Sequence, residues 1–253
     1  MMAFAGAVLI GVSLGLLGSG GSILTVPVLV YLAGQPEKVA IAGSLAVVAA
    51  IAAAGSLPYI FRRRVNWRSV VWFGVPGMAG TWLGAWSSQF VSGNVQLTVF
   101  ALLMLSAAWF MFRPSPSTAD IGPRPVARIA ADGLAVGALT GLVGVGGGFL
   151  IVPALVLLGG LDMAVAVGTS LVIIGLKSLS GFLEHLHVLT RLDLELDWRL
   201  LGVFIAVGIT GTFLGGYLGR RIPQQRLRQL FAAVLVIVAT AILWQTLAPA
   251  HTA

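Results

Sequence analysis

The sequence predicts an all-α polytopic membrane protein built of two inverted repeats, each with one glycine-broken, re-entrant segment plus three spanning helices. Three observations carry that prediction: a composition too apolar for water, apolar runs of membrane-span length, and two halves that repeat each other in register. Of 253 residues, 58% are hydrophobic and a further 33 are glycine. Charged residues make up 9%, against roughly 25% in an average soluble chain. Fifteen Lys and Arg with eight Asp and Glu are too few to cover a soluble globule of this size with polar groups.

A spanning helix needs about 20 mostly apolar residues. Uncharged or nearly uncharged runs cover residues 3–34, 38–61, 69–89, 94–112, 129–160, 163–183, 200–219 and 229–248. The first and fifth are too long for a single span, and a glycine cluster interrupts each. These clusters are Gly18-Ser19-Gly20-Gly21 and Gly144-Val145-Gly146-Gly147-Gly148. Residues 113–128 contain Pro114, Pro116, Pro123 and Pro125. Repeated proline cannot continue a helix, so this stretch is expected to link a first repeat, 1–112, to a second, 129–253, within one transmembrane domain. The start, Met1-Met2-Ala3-Phe4, lacks the basic region of a cleaved signal peptide.

The halves align at a shift of 126 residues. That shift pairs Gly15 to Ser22 with Gly141 to Gly148, Pro27 with Pro153, Gly34 with Gly160, Ser44-Leu45 with Ser170-Leu171, and Gly55 with Gly181. After a five-residue insertion the shift becomes 131. It then pairs Trp67-Arg68 with Trp198-Arg199, Gly80-Thr81 with Gly211-Thr212, and Leu83-Gly84 with Leu214-Gly215. A constant register of this length marks an internal duplication.

Charge placement orients the halves. Arg62, Arg63, Arg64 and Arg68 follow the second run, Arg113, Arg124 and Arg128 the fourth, and Arg220, Arg221, Arg226 and Arg228 the seventh. Eight full crossings put the last cluster outside, giving nine basic loop residues inside and five outside. If the glycine-broken segments instead enter and leave on one side, all eleven clustered arginines fall inside, with Lys38, Arg191 and Arg199 outside. Cytoplasmic loops collect Lys and Arg, so the inverted arrangement is favoured, with both chain ends and the acidic stretch Glu184 to Asp197 outside.

Broken backbone in hydrocarbon is tolerated only where protein or water covers it. Paired breaks in inverted repeats are the layout of secondary transporters, with substrate between the repeats. Helices restarting near Ser22 and Phe149 would aim free N–H groups and positive dipole ends at such a site, which favours anions. Small residues four apart also let helices pack closely, and Gly11/Gly15, Gly80/Gly84, Gly133/Gly137/Gly141 and Gly211/Gly215 fit that role. A dinucleotide fingerprint needs a strand-turn-helix context, which this chain lacks.

A G-x-G-G-G/S segment with proline five or six residues on, then Gly-Thr-Ser-Leu, duplicated, resembles the sulfite exporter TauE/SafE family. The residues are Gly144 to Gly148, Pro153 and Gly168-Thr169-Ser170-Leu171. The first copy is looser: Ser22 replaces the last glycine, and Ala42-Gly43-Ser44 stands for Gly-Thr-Ser. The resemblance covers nearly the whole chain. It implies export of small sulfur-containing anions such as sulfite, sulfoacetate or related organosulfonates across the bacterial inner membrane.

The expected substrate-binding residues are Ser19, Gly20, Gly21, Ser22, Ser44, Gly146, Gly147, Gly148, Thr169, Ser170 and Lys177. An ammonium deep in a span is expensive and points to function, here neutralisation of an anion. The competing reading is a lysine that snorkels to the outer interface. Ser and Thr hydroxyls suit sulfonate oxygens, though they also satisfy helix backbone in membranes. Glu184, His185 and His187 form a weak metal pattern and are read as a solvated loop, so no metal or cofactor is expected. Proton coupling through Glu184, His185 or Asp132 finds no support from a carboxylate inside a span. There is no cysteine and no Ser/His/Asp set inside the spans, so an enzyme is not expected. The expected partners are the anion and the bilayer, with a homodimer left open and no nucleic acid. An anion-selective channel of the same architecture, or a carrier of a non-sulfur organic anion, is the alternative function.

Overall fold

The computed structural model describes residues 2–18, 25–26, 28–88, 90, 93–112, 125–143, 148–191 and 194–247. Among these, all regular structure is helical. Helix α1 is Met2–Leu17, followed by a π-helical turn, Val28–Leu32. Helix α2 is Glu37–Phe61. Helix α3 joins Trp67–Ser69, a π-helical Val70–Gly74 and Val75–Ser88. The others are α4 Gly93–Phe112, α5 Val126–Val143, α6 Gly148–Leu157, α7 Met163–Arg191, α8 Trp198–Arg221 and α9 Gln224–Leu247.

Helix α1 ends at Leu17, at the first glycine cluster, and α5 runs to Val143, ahead of residues 144–147, which lie outside the described residues. Helix α7 corrects one expectation, because Glu184, His185 and His187 lie on helical backbone that continues to Arg191. The stretch from Leu183 to Arg191 contains neither glycine nor proline, so the end of hydrophobicity at Leu183 does not end the helix. Helix α5 starts at Val126, inside the expected linker, directly after Pro125; proline suits a helix start. The π-helical turn of α3 precedes Pro76, whose missing N–H and ring loosen the turn before it. The equivalent residue of α8 is Val207, and α8 is continuous.

The helix pairs carry the duplication into three dimensions. Helix α1 packs on α8, α3 on α5, α2 on α7 and α4 on α9. Exchange of the two halves maps this set onto itself. The match extends to single residues. A Cβ at Gly211 or Gly215 would lie 2.9 or 2.3 Å from the carbonyl oxygens of Val8 and Val12. At Gly80 or Gly84 it would lie 2.2 or 2.0 Å from those of Leu134 and Ala138. These pairs are equivalent under the shifts of 126 and 131. Gly34 and Gly160, also equivalent, both take left-handed φ, at 67° and 63°. Asn66 and Asp197, equivalent again, cap α3 and α8 with side-chain oxygens 3.0 Å from backbone N–H groups.

Contacts also give helix directions. Numbers rise together along α1/α8 and along α3/α5, so these pairs are parallel. In α2/α7, Gly55 meets Leu171 while Leu45 meets Gly181, so that pair is antiparallel. In α4/α9, Arg228 at the start of α9 donates to the carbonyl of Phe110 at the end of α4, at 2.8 Å; this pair is antiparallel too. The central pair is α2/α7: 67% of the α2 span is buried, against 28% of the α9 span. Trp82, Trp86, Trp109 and Trp244 are exposed, an outer surface suited to lipid.

Replacement of Gly84 or Gly215 by Val forces backbones apart and is expected to lower the melting temperature of the purified protein by several degrees, overpacking costing about 1–3 kcal/mol or more. Gly202→Val, at a position with nothing within 4 Å, is the control and should change little. Equal effects at all three positions would contradict the packing described.

Candidate functional site

Helix α7 brings together the chemistry-bearing side chains nearest the first break. Ser170 is fully buried, and its hydroxyl faces two carbonyls, Val167 at 2.9 Å and Gly18 at 3.2 Å. Gly18 ends α1 in the left-handed region, with φ 75°. A Cβ there would stand 2.8 Å from Ser170 Oγ. The first glycine cluster therefore begins against α7. Thr169, also fully buried, accepts a hydrogen bond from the backbone N–H of Asn66 at 3.0 Å. Both hydroxyls thus hold backbone, the role Ser and Thr commonly play in membranes.

Lys177 is the central residue of α7, with fourteen residues of helix on either side. Its amine donates to Thr81 Oγ1 of α3 at 2.8 Å, and that hydroxyl donates to the Gly77 carbonyl at 2.8 Å. Among the described residues its hydrogen-bond partner is therefore neutral. Thr81 was not among the residues expected from sequence; the repeated Gly80-Thr81 and Gly211-Thr212 dipeptides were its signal, read only as register marks. The partner threonine, Thr212, donates to Gly11 O at 2.9 Å. The residue equivalent to Lys177 is Ile51, which packs over Gly208. The charge therefore occurs on one side of the duplication alone.

Ser44 is buried in α2 and donates to Ile41 O at 2.7 Å. Given the antiparallel α2/α7 register, Ser44 lies about twelve residues, or ~18 Å, from Ser170 along the helix axis. Lys177 lies between, seven residues beyond Ser170 and on the same helix face. Gly148 is buried and opens α6. Ser19, Gly20, Gly21, Ser22, Gly146 and Gly147 lie outside the described residues.

A cavity of about 160 Å³ opens where α1, α2, α7 and α8 end or begin. Its wall includes Leu16, Tyr59, Arg64, Ala164, Val167 and Gly219. Val167 also touches Gly18, so the cavity floor adjoins the start of the first glycine cluster. A smaller space of about 20 Å³ shares Tyr59 and Arg64 and adds Arg62 and Thr212. Near the start of α2 and α8, a space of about 10 Å³ is bounded by Gln35, Gly43 and Asp197. Tyr59 had no sequence signal, since it falls between the two registers of the repeat.

A chain whose described residues are helical, with four apolar helices long enough to cross a membrane, is a multi-pass membrane protein in its class. Its sequence matches the family described as Sulfite exporter TauE/SafE over residues 3–242, and the chain belongs to that family. It is 35% identical to a "Probable membrane transporter protein" of Xylella fastidiosa in an alignment 246 residues long that covers 94% of this chain and 92% of that one. It is 27% identical to "Probable membrane transporter protein YunE" of Bacillus subtilis, covering 96% and 98% of the two chains. A probable membrane transporter protein of Methanocaldococcus jannaschii is 27% identical over 73% of each. No solved structure shows a significant match to the chain.

Gly18→Ala combines an unfavourable φ with a clash on Ser170. It should destabilise the protein by about 1–3 kcal/mol, read as a lower melting temperature. Gly34→Ala has the same φ problem but open space around it, so it should cost less. Equal losses would show that the contact with Ser170 does not matter.

Proposed function

We propose that the protein is a secondary transporter that exports small sulfur-containing anions, such as sulfite, sulfoacetate or related organosulfonates, by rocking of two inverted repeats. The observation that carries this reading is Lys177, an ammonium at the centre of a buried helix with a neutral partner, Thr81. Such a group in a span marks a substrate pathway. The family membership supports the sulfur chemistry.

Helix directions support the inversion. Two-fold-equivalent helices α2 and α7 run antiparallel, as do α4 and α9. An axis along the membrane normal would leave equivalent helices parallel, whereas an axis in the membrane plane reverses them. In that arrangement the segments containing α1 and α5 each return at their glycine cluster. Arg62, Arg63, Arg64, Arg128, Arg221, Arg226 and Arg228 then share one face, the cytoplasmic one by charge.

The proposed anion contacts are Thr169 and Ser170, then Lys177 with Thr81, then Ser44, with Ser19 to Ser22 and Gly146 to Gly148 assigned from the sequence. Because Ser44 and Ser170 are ~18 Å apart by helix rise, one small anion contacts them in turn, not together. Lys177 supplies the compensating charge.

Labelled sulfite, sulfoacetate and thiosulfate in proteoliposomes test this. Wild type should show saturable uptake and exchange. Lys177→Met should reduce it at least about tenfold, a hydrogen bond to a charged group being worth about 1.5–3 kcal/mol, and Thr81→Val by a smaller factor. Full activity of folded Lys177→Met would remove the site. Single-channel currents without exchange would establish the channel alternative.

A further inference from the structure

The Arg64 position and its two-fold counterpart differ in charge. Arg64 lies two residues before Asn66, the cap of α3, and Glu195 lies two residues before Asp197, the cap of α8. The shift of 131 that pairs the two caps therefore pairs Arg64 with Glu195. Around Arg64 the chain reads Arg62-Arg63-Arg64, whereas around Glu195 it reads Asp193-Leu194-Glu195-Leu196-Asp197. In the sequence, Lys38 offsets one of those acidic charges, while Arg199 is matched by Arg68 in the other copy.

We infer that the cavity walled by Tyr59, Arg64, Ala164 and Val167 is a loading vestibule for a small oxyanion, and that the exchange of Arg64 for Glu195 makes loading stronger at the arginine mouth than at the other. This rests on the proposed transport of anions. The cavity is roomy enough for a small oxyanion with part of its hydration shell, one water taking about 30 Å³ of liquid. Arg64 supplies planar N–H donors that suit oxyanions, and its charge raises the local anion concentration before the anion reaches the first glycine cluster. The cavity floor at Leu16 and Val167 adjoins Gly18, which begins that cluster. At the equivalent position on the other face, the carboxylate of Glu195 repels the same anion. Apparent affinity therefore differs between the two faces, without any change in the equilibrium that transport reaches.

The chain contains no cysteine, so Ala164→Cys places one thiol in the vestibule wall. Its reaction rates with a sulfonate-bearing and a trimethylammonium-bearing methanethiosulfonate report the local potential. The sulfonate-to-ammonium rate ratio should fall about threefold in Arg64→Gln and about tenfold in Arg64→Glu, as expected for one and two unit charges at partly screened separations. The differences should shrink at about 1 M salt, where the Debye length is roughly 3 Å. Leu16→Cys serves as a second thiol position in case Ala164→Cys does not fold. A ratio indifferent to Arg64 at both positions overturns the vestibule. In oriented proteoliposomes, KM for labelled sulfite should be lower from the arginine face, and Glu195→Arg should narrow the difference. Equal KM from both faces overturns the charge-asymmetry claim. Absence of any carried sulfite counts against the transport reading instead, and the thiol ratio still decides the vestibule.

Discussion

Backbone-to-backbone contact at two glycine seams is the constraint on which the rest of this structure depends. A membrane offers no water to peptide groups, so a helix can break only where other protein covers it. Gly11 and Gly15 let α1 lie directly on α8, and Gly80 and Gly84 let α3 lie on α5. Helices α1 and α5, which run to Leu17 and Val143 ahead of the glycine clusters, each lie along one of these seams. A side chain on the seam would lift that cover and expose the orphan groups at the break.

The seams also place the chemistry. Helices α2 and α7 fill the space between them and are the most buried spans. That packing takes Ser170 to the end of α1 and Lys177 to Thr81. Duplication supplies the frame, while the functional asymmetry comes from single residues that differ between the copies. Lys177 stands where the other copy has Ile51, and Thr169 stands where it has Gly43. In the proposed pathway, one ammonium serves both halves of the frame.

Much of the frame was readable in the sequence because hydrophobic length and glycine spacing are local signals. The register shifts and the packing role of Gly80, Gly84, Gly211 and Gly215 reappear as contacts. The outer end of α7 was misread because apolar length measures the membrane, whereas a helix ends only where backbone hydrogen bonding fails. The candidate site was less readable. Thr81 sits 96 residues from Lys177, and the contact arises from helix pairing that no local pattern encodes. Tyr59 and Arg64 join a cavity only because four helix ends converge there.

The inverted two-fold is the central claim, and the side of the membrane reached by two points of the chain tests it most directly. Reporters fused after Ala119 and after Ala253, read in intact cells, should fall on opposite faces, with the one after Ala119 in the cytoplasm. Both reporters on the same face would mean eight full crossings in parallel repeats, and would contradict the account.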